Sequence, residues 1–194
     1  NNYLEVQISD NGAEIKSIKY LNKDYLHNSD PKYWGRSAPL LWPNIGTIKN
    51  NQAMIDGINY PMKKHGFLRD TTVQLEYLDN DKITFAAIAD ENTLKLYPYD
   101  FKILITYELI ENTIHSSLEF INNSKSSMPF NLGLHPAFKV PLDENESFEE
   151  YKIIFDVPGT YEMPTVNLTD GTIDYDNRCR TFTNLKELPL IYSD

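Results

Sequence analysis

The stretch "FKILITYELI", residues 101–110, followed by "EN" and then "TIHSSLEFIN", residues 113–122, constrains the fold of this chain more than any other feature. Successive side chains in a strand point to opposite faces, so Phe101, Ile103, Ile105, Tyr107 and Leu109 share one face. Ile114, Ser116, Leu118 and Phe120 share a face on the return. Two such runs joined by the turn residues Glu111 and Asn112 predict an antiparallel hairpin.

The same grammar recurs along the chain. "YLEVQIS" aligns Leu4, Val6 and Ile8, "DNG" at residues 10–12 predicts a hairpin turn, and "AEIKSIKYL" resumes at Ile15. "DKITFAAIAD" alternates through Ile83, Phe85, Ala87 and Ala89, while "YKIIFDV" and the runs around Phe182 and Leu190 read as later strands. Turn residues in "NSDP", "DNDK", "NNSKSS", "LDENES", "VPGT" and "TDGT" punctuate these runs. Many short strands without a sustained helical stripe predict an all-β sandwich. No linker, internal repeat or low-complexity stretch divides residues 1–194, which are read as one domain.

Charge and composition exclude several partner classes. A net charge of −10 disfavours general affinity for nucleic acid, because a phosphate backbone needs a positive surface to displace its counterions. The basic groups of "YPMKKHGFLRD" are a local exception and read as a solvated turn. No run of eighteen apolar residues is available to span a membrane, and "NNYLEVQISDNGAEI" lacks the basic-then-apolar pattern of an export signal. The single cysteine, Cys179, excludes an internal disulfide framework and fits a reducing, cytoplasmic setting.

Two segments break the strand rhythm, "WGRSAPLLWPNIGTIKNN" at residues 34–51 and "PFNLGLHPAFKVPLDENES" at residues 129–147. Irregular segments held between strands are where binding residues concentrate. Of the four histidines, His27 lies in a polar turn and His115 on the polar face of the hairpin, and both read as structural. His65 and His135 each sit beside Gly or Pro in an irregular segment. Two imidazoles in one pocket can divide the protonation of an oxygen from the holding of a hydroxyl, because histidine titrates near neutral pH. Either one, taken alone, is equally readable as a buried structural histidine.

Other chemistries lack a pattern. His65 and His135 have no metal-ligand spacing and no HxH or HExxH partner, so no metal is expected. Ser9, Ser37 and Ser116 lack a GxSxG context, and Cys179 in "DNRCRTF" has no neighbouring histidine. No glycine-rich phosphate loop is present. Trp34, Trp42, Phe67, Phe130 and Phe138 flank the candidate histidines; aromatic faces suit the apolar faces of a pyranose, and core packing accounts for each of them equally well.

Four stretches in this order, "ISDNGAEIKSI", "WGRSAPLLWPNIGTIKNN", "YPMKKHGFLRD" and "NLGLHPAF", resemble the aldose 1-epimerases, or galactose mutarotases, and especially their LacX-type branch. The resemblance spans essentially the whole chain. It implies a large twisted antiparallel β-sandwich binding a monosaccharide, without a cofactor. It also implies acid-base interconversion of the α and β anomers of a free aldose of the galactose or glucose type. His135 in "LHPAF" takes the place of the general acid, and His65 in "KHGF" that of the second, sugar-bonding histidine. Phe67 and Asn131, beside these histidines, join the expected substrate-binding set.

Two departures from the family pattern matter. Thr47 in "GTIK" stands where LacX-type members carry a sugar-binding Arg, and a hydroxyl cannot replace a forked guanidinium. Lys49 and Arg36 are the nearby cations that reach the same hydroxyls in this expectation. The family's catalytic glutamate falls in a segment that should follow "LPLIYSD", so the sandwich is expected to be incomplete at its C-terminus and the base to lie beyond residue 194. Glu162, Glu187 and Asp194 are carboxylates outside the base motif. The alternative is a sugar-binding sandwich without turnover; a monomer and a homodimer both remain open.

Overall fold

The computed structural model describes residues 1–192, apart from the side chains of Arg178 and Cys179. Cys179 as a thiol and Asp194 as a carboxylate therefore lie outside the described residues. The contacts gather into two units, residues 1–138 and the residues from Lys139 onward.

The first unit opens with the predicted hairpin. Strands β1 (Leu4–Ile8) and β2 (Ile15–Tyr20) pair antiparallel around the Asp10–Gly12 turn, and β3 (Lys23–Asp24) adds to the far edge of β2. A short strand β4 (Leu40–Leu41) follows in the first irregular segment, then the small hairpin of β5 (Gln52–Ile55) and β6 (Ile58–Pro61). Strands β7 (Gln74–Leu78), β8 (Lys82–Ile88), β9 (Phe101–Ile110) and β10 (Thr113–Asn122) form one antiparallel sheet in the order β10-β9-β8-β7. Strand β11 (Gly133–Leu134) returns to pair with β4.

The hairpin of β9 and β10 has the register its alternation dictates, from Thr113 opposite Ile110 to Asn122 opposite Phe101. Phe101, Ile103, Ile105 and Tyr107 are buried along β9 and pack with Ala13, Ile15, Leu40, Trp42 and Phe67 in one core. The all-β sandwich expected from the sequence is the fold observed. No helix among the described residues is long and apolar enough to cross a membrane.

The second unit is a ribbon of two long strands, β12 (Lys152–Val166) and β13 (Ile173–Pro189), joined through the predicted "TDGT" turn. "VPGT", expected as a turn, lies inside β12 instead. The pairing register there is irregular between Ile154 and Gly159 and again before Tyr161. Pro158 has no N–H for the ladder, and a bulge absorbs that loss without ending the strand.

Ile103 has no exposed surface. Ile103→Ala should lower stability by about 3 kcal/mol through lost transfer energy and the cavity left behind, measured as a shift in the denaturant midpoint.

Candidate active site

Residues 37–43 act as a spine between the two irregular segments. On one side they run antiparallel to residues 131–137: the N–H groups of Asn131, His135 and Ala137 donate to the carbonyls of Pro43, Pro39 and Ser37 at 2.9, 3.2 and 2.7 Å. On the other side Trp42 bridges Gly66 in parallel, and its carbonyl accepts from the N–H groups of Phe67 and Leu68 at 3.0 and 3.2 Å. His135 and His65 therefore hang from opposite edges of one backbone segment. Trp42, with no exposed surface, anchors that segment among Phe67, Tyr97, Phe101, Phe120 and Phe130.

The "KHGF" turn is forced by this contact. A Cβ on Gly66 would stand 2.1 Å from the Trp42 carbonyl oxygen, and Gly66 has φ +71, so only glycine lets the chain approach so closely. His65 precedes it at φ 68, in the left-handed region that a side chain seldom occupies. The turn swings Phe67 inward. Phe67, expected to contact substrate, is 7% exposed and meets Trp42 edge-on at 5.4 Å, so it is a core residue.

His65 is held at both its backbone and its ring. Its N–H donates to the Gly46 carbonyl at 2.9 Å, and its Nδ1 accepts the Gly46 N–H at 3.0 Å. A ring whose Nδ1 accepts carries its proton on Nε2, which makes His65 a neutral hydrogen-bond donor. Burial, helped by the positive charges of Arg69 and Lys64, holds its pKa below the usual histidine value. The imidazoles of His65 and His135 face each other edge-on with centroids 6.3 Å apart.

His135 is exposed, with its ring against the Trp34 indole at 5.0 Å. His27 stacks on Trp34 at 6.4 Å and donates from Nε2 to the Trp34 carbonyl at 2.9 Å, while its own N–H donates to Ala137. His27, expected in a polar turn, thus braces the wall against which His135 rests. Its sequence neighbours carry no sign of this role, because the link is a contact with an indole seven residues on. His115 is exposed on β10, as its alternation predicts.

The remaining expected residues divide. Thr47 follows the Gly46 that grips His65, and Lys49 is exposed in the next turn. Asn131 is exposed at the head of the antiparallel pairing and, with Asn44 and Ile48, lines a hollow of about 260 Å³. Arg36 is engaged elsewhere: one terminal nitrogen donates to the Arg69 carbonyl at 2.9 Å and the other bonds the Asp70 carboxylate. Glu187 pairs with Lys152 at 2.8 Å within the ribbon, a bond that lowers its carboxyl pKa. Among the described residues no carboxylate forms an ion pair with either His65 or His135.

Antiparallel sheets packed on one core, with two imidazoles 6.3 Å apart, fit a galactose mutarotase-like β-sandwich. The aldose 1-epimerase family model matches residues 1–189, and the chain belongs to that family. It is 32% identical over 202 residues to the chromosomal protein LacX of Lactococcus lactis subsp. lactis, a match covering 100% of this chain and 67% of that protein. Among solved structures it is similar to a galactose mutarotase related enzyme from Lactobacillus acidophilus, with TM-score 0.89 and 32% identity. It is also similar to a galactose mutarotase-like protein from Lactobacillus casei ATCC 334, with TM-score 0.83 and 28% identity. These matches cover 98% of this chain, which spans 63% and 65% of the lengths of the two solved chains.

Gly66→Ala should cost roughly 3 kcal/mol or more, since the methyl group collides with backbone rather than a movable side chain; the denaturant midpoint reads it. His65 should couple stability to pH. The unfolded imidazole takes up a proton near 6.5, whereas the folded one resists it, so its contribution is complete above that value and is lost as pH falls through the lower folded pKa. The stability gap between the wild type and His65→Asn, which lacks the titration, should therefore narrow as the pH is taken from about 7.5 to about 5.

Proposed function

We propose that the protein interconverts the α and β anomers of a free aldose of the galactose or glucose type by acid-base ring opening. The observation that carries this is the unequal pair of imidazoles, one locked as a neutral donor and the other exposed with its ring centroid 6.3 Å away.

In this proposal His135 gives a proton to the ring oxygen of the sugar while a base takes the proton from the anomeric hydroxyl. The bond between C1 and the ring oxygen breaks, and C1 becomes a carbonyl. Rotation about the C1–C2 bond presents the other carbonyl face, the ring oxygen attacks it, and both protons return. An imidazole suits this cycle because it can both give and retake one proton. His65 cannot perform that task without turning a protonated Nδ1 toward the Gly46 N–H; its Nε2–H instead holds a sugar oxygen and steadies developing charge. Thr47, Lys49 and Asn131 supply the further hydroxyl-bonding groups that this proposal assigns to the sugar. The base is taken to be a glutamate outside the described residues.

A second reading, a sugar-binding sandwich without turnover, is favoured by Thr47 at the position of the guanidinium carried by LacX-type members. Polarimetry and NMR exchange with galactose and glucose separate the two. Acceleration of interconversion that falls by roughly 10²-fold or more in His135→Ala supports the enzyme. Sugar binding with interconversion at the buffer rate supports the second reading.

A further inference from the structure

Glu14 is 3% exposed, and such a carboxylate is tolerated inside a fold only when its oxygens are well paired. One oxygen accepts the backbone N–H groups of Ser37 and Ala38 at 2.6 and 3.2 Å and the Lys16 ammonium at 3.3 Å. The other lies 3.5 Å from the Arg36 guanidinium. Arg36 passes the connection on to the Arg69 carbonyl and the Asp70 carboxylate. Arg69 in turn donates to the Lys64 carbonyl at 2.9 Å, beside His65.

Three segments therefore meet at one ion cluster. Residues 13–14 are held from behind by the Tyr107 hydroxyl, which donates to the Ala13 carbonyl at 3.0 Å. Residues 34–38 carry the Trp34 wall of His135 and the Ser37 carbonyl that holds Ala137. Residues 64–70 carry His65. Gly12 permits the meeting, because a Cβ there would stand 2.7 Å from the Arg69 Cα.

We infer that Arg36, clamped between Glu14 and Asp70, is a positioning residue that sets His135 and its Trp34 wall against His65, and is not a ligand for the sugar. A fork that donates to a carbonyl and a carboxylate at once, with a second carboxylate beside it, has both terminal nitrogens engaged toward the protein. Lysine cannot reproduce it, since a single ammonium on a flexible stem does not fix two acceptors in one plane. The inference rests on the acid-base reading above for its kinetic consequence, but its geometric content stands apart from it.

The test uses Arg36→Lys and, as a milder cut of the same clamp, Asp70→Asn, with the ring signals read in the 194-residue chain and turnover read in a protein that also carries the proposed base. The first readout needs no sugar: the nuclear Overhauser contact between the Trp34 indole and the His135 ring, with the histidine ring nitrogen shifts. The inference expects this contact to weaken and the His135 ring signal to move or broaden in a folded variant, while His65 keeps its Nε2–H tautomer. The second readout is interconversion, where kcat should fall by about tenfold with KM within about twofold, because misplacement of the acid penalises the transition state more than binding.

Unchanged ring signals in both folded variants overturn the inference. So does a KM raised by about tenfold at unchanged kcat, which would make Arg36 a sugar ligand. If Arg36→Lys fails to fold, Asp70→Asn decides by the same criteria. If the wild type does not accelerate interconversion, the proposed function fails, and the ring signals still decide the role of Arg36.

Discussion

The fold of the site depends on the hydrogen-bonded spine at residues 37–43. Three donors from residues 131–137 engage one edge, and two from residues 67–68 engage the Trp42 carbonyl on the other. Backbone pairing fixes distance more firmly than side-chain packing does, because the spacing of a ladder is set by covalent geometry. The imidazoles of His65 and His135, seventy positions apart in the chain, are thereby brought to a centroid separation of 6.3 Å. Trp42 anchors the spine, since its fully buried indole packs against the rings of Tyr97 and Phe101.

The two histidines acquire different chemistry from their surroundings. His65 has its acceptor nitrogen occupied by a backbone donor, so protonation would set two hydrogens against each other. His135 has its backbone fixed and its ring resting against an indole. The ion cluster around Glu14 supports this asymmetry at a distance. A buried carboxylate costs several kcal/mol in lost hydration, and recovers it only through a complete set of partners in one geometry. The arrangement is consequently all-or-none, which suits a scaffold that keeps two imidazoles at one separation.

The sheets were legible in the sequence because alternation and turn residues report directly on strand faces. The β9–β10 hairpin follows its apolar pattern residue by residue. The same logic misplaced "VPGT", where Pro and Gly interrupt a ladder without ending it. The site was legible only as a pair of histidines in irregular segments. Its supports are non-local backbone contacts, and no period in the chain encodes that Trp42 meets Gly66 or that His27 braces Trp34. Phe67 shows the same limit: its nearness to His65 in sequence does not disclose that it packs in the core beyond the left-handed turn at residues 65–66. Arg36 looked available to a ligand because its acidic partners lie 22 and 34 positions away.

Gly46 gives both of its backbone groups to His65, accepting from the N–H and donating to the ring. The peptide leading into Thr47 is therefore anchored by atoms that every amino acid possesses. What the residue at 47 carries is uncoupled from the protonation state of the imidazole that Gly46 holds. Under the proposed acid-base reading, sequence drift at that position could retune which hydroxyl pattern is welcomed while leaving the proton inventory untouched, so recognition and chemistry would be free to evolve on separate schedules within one loop.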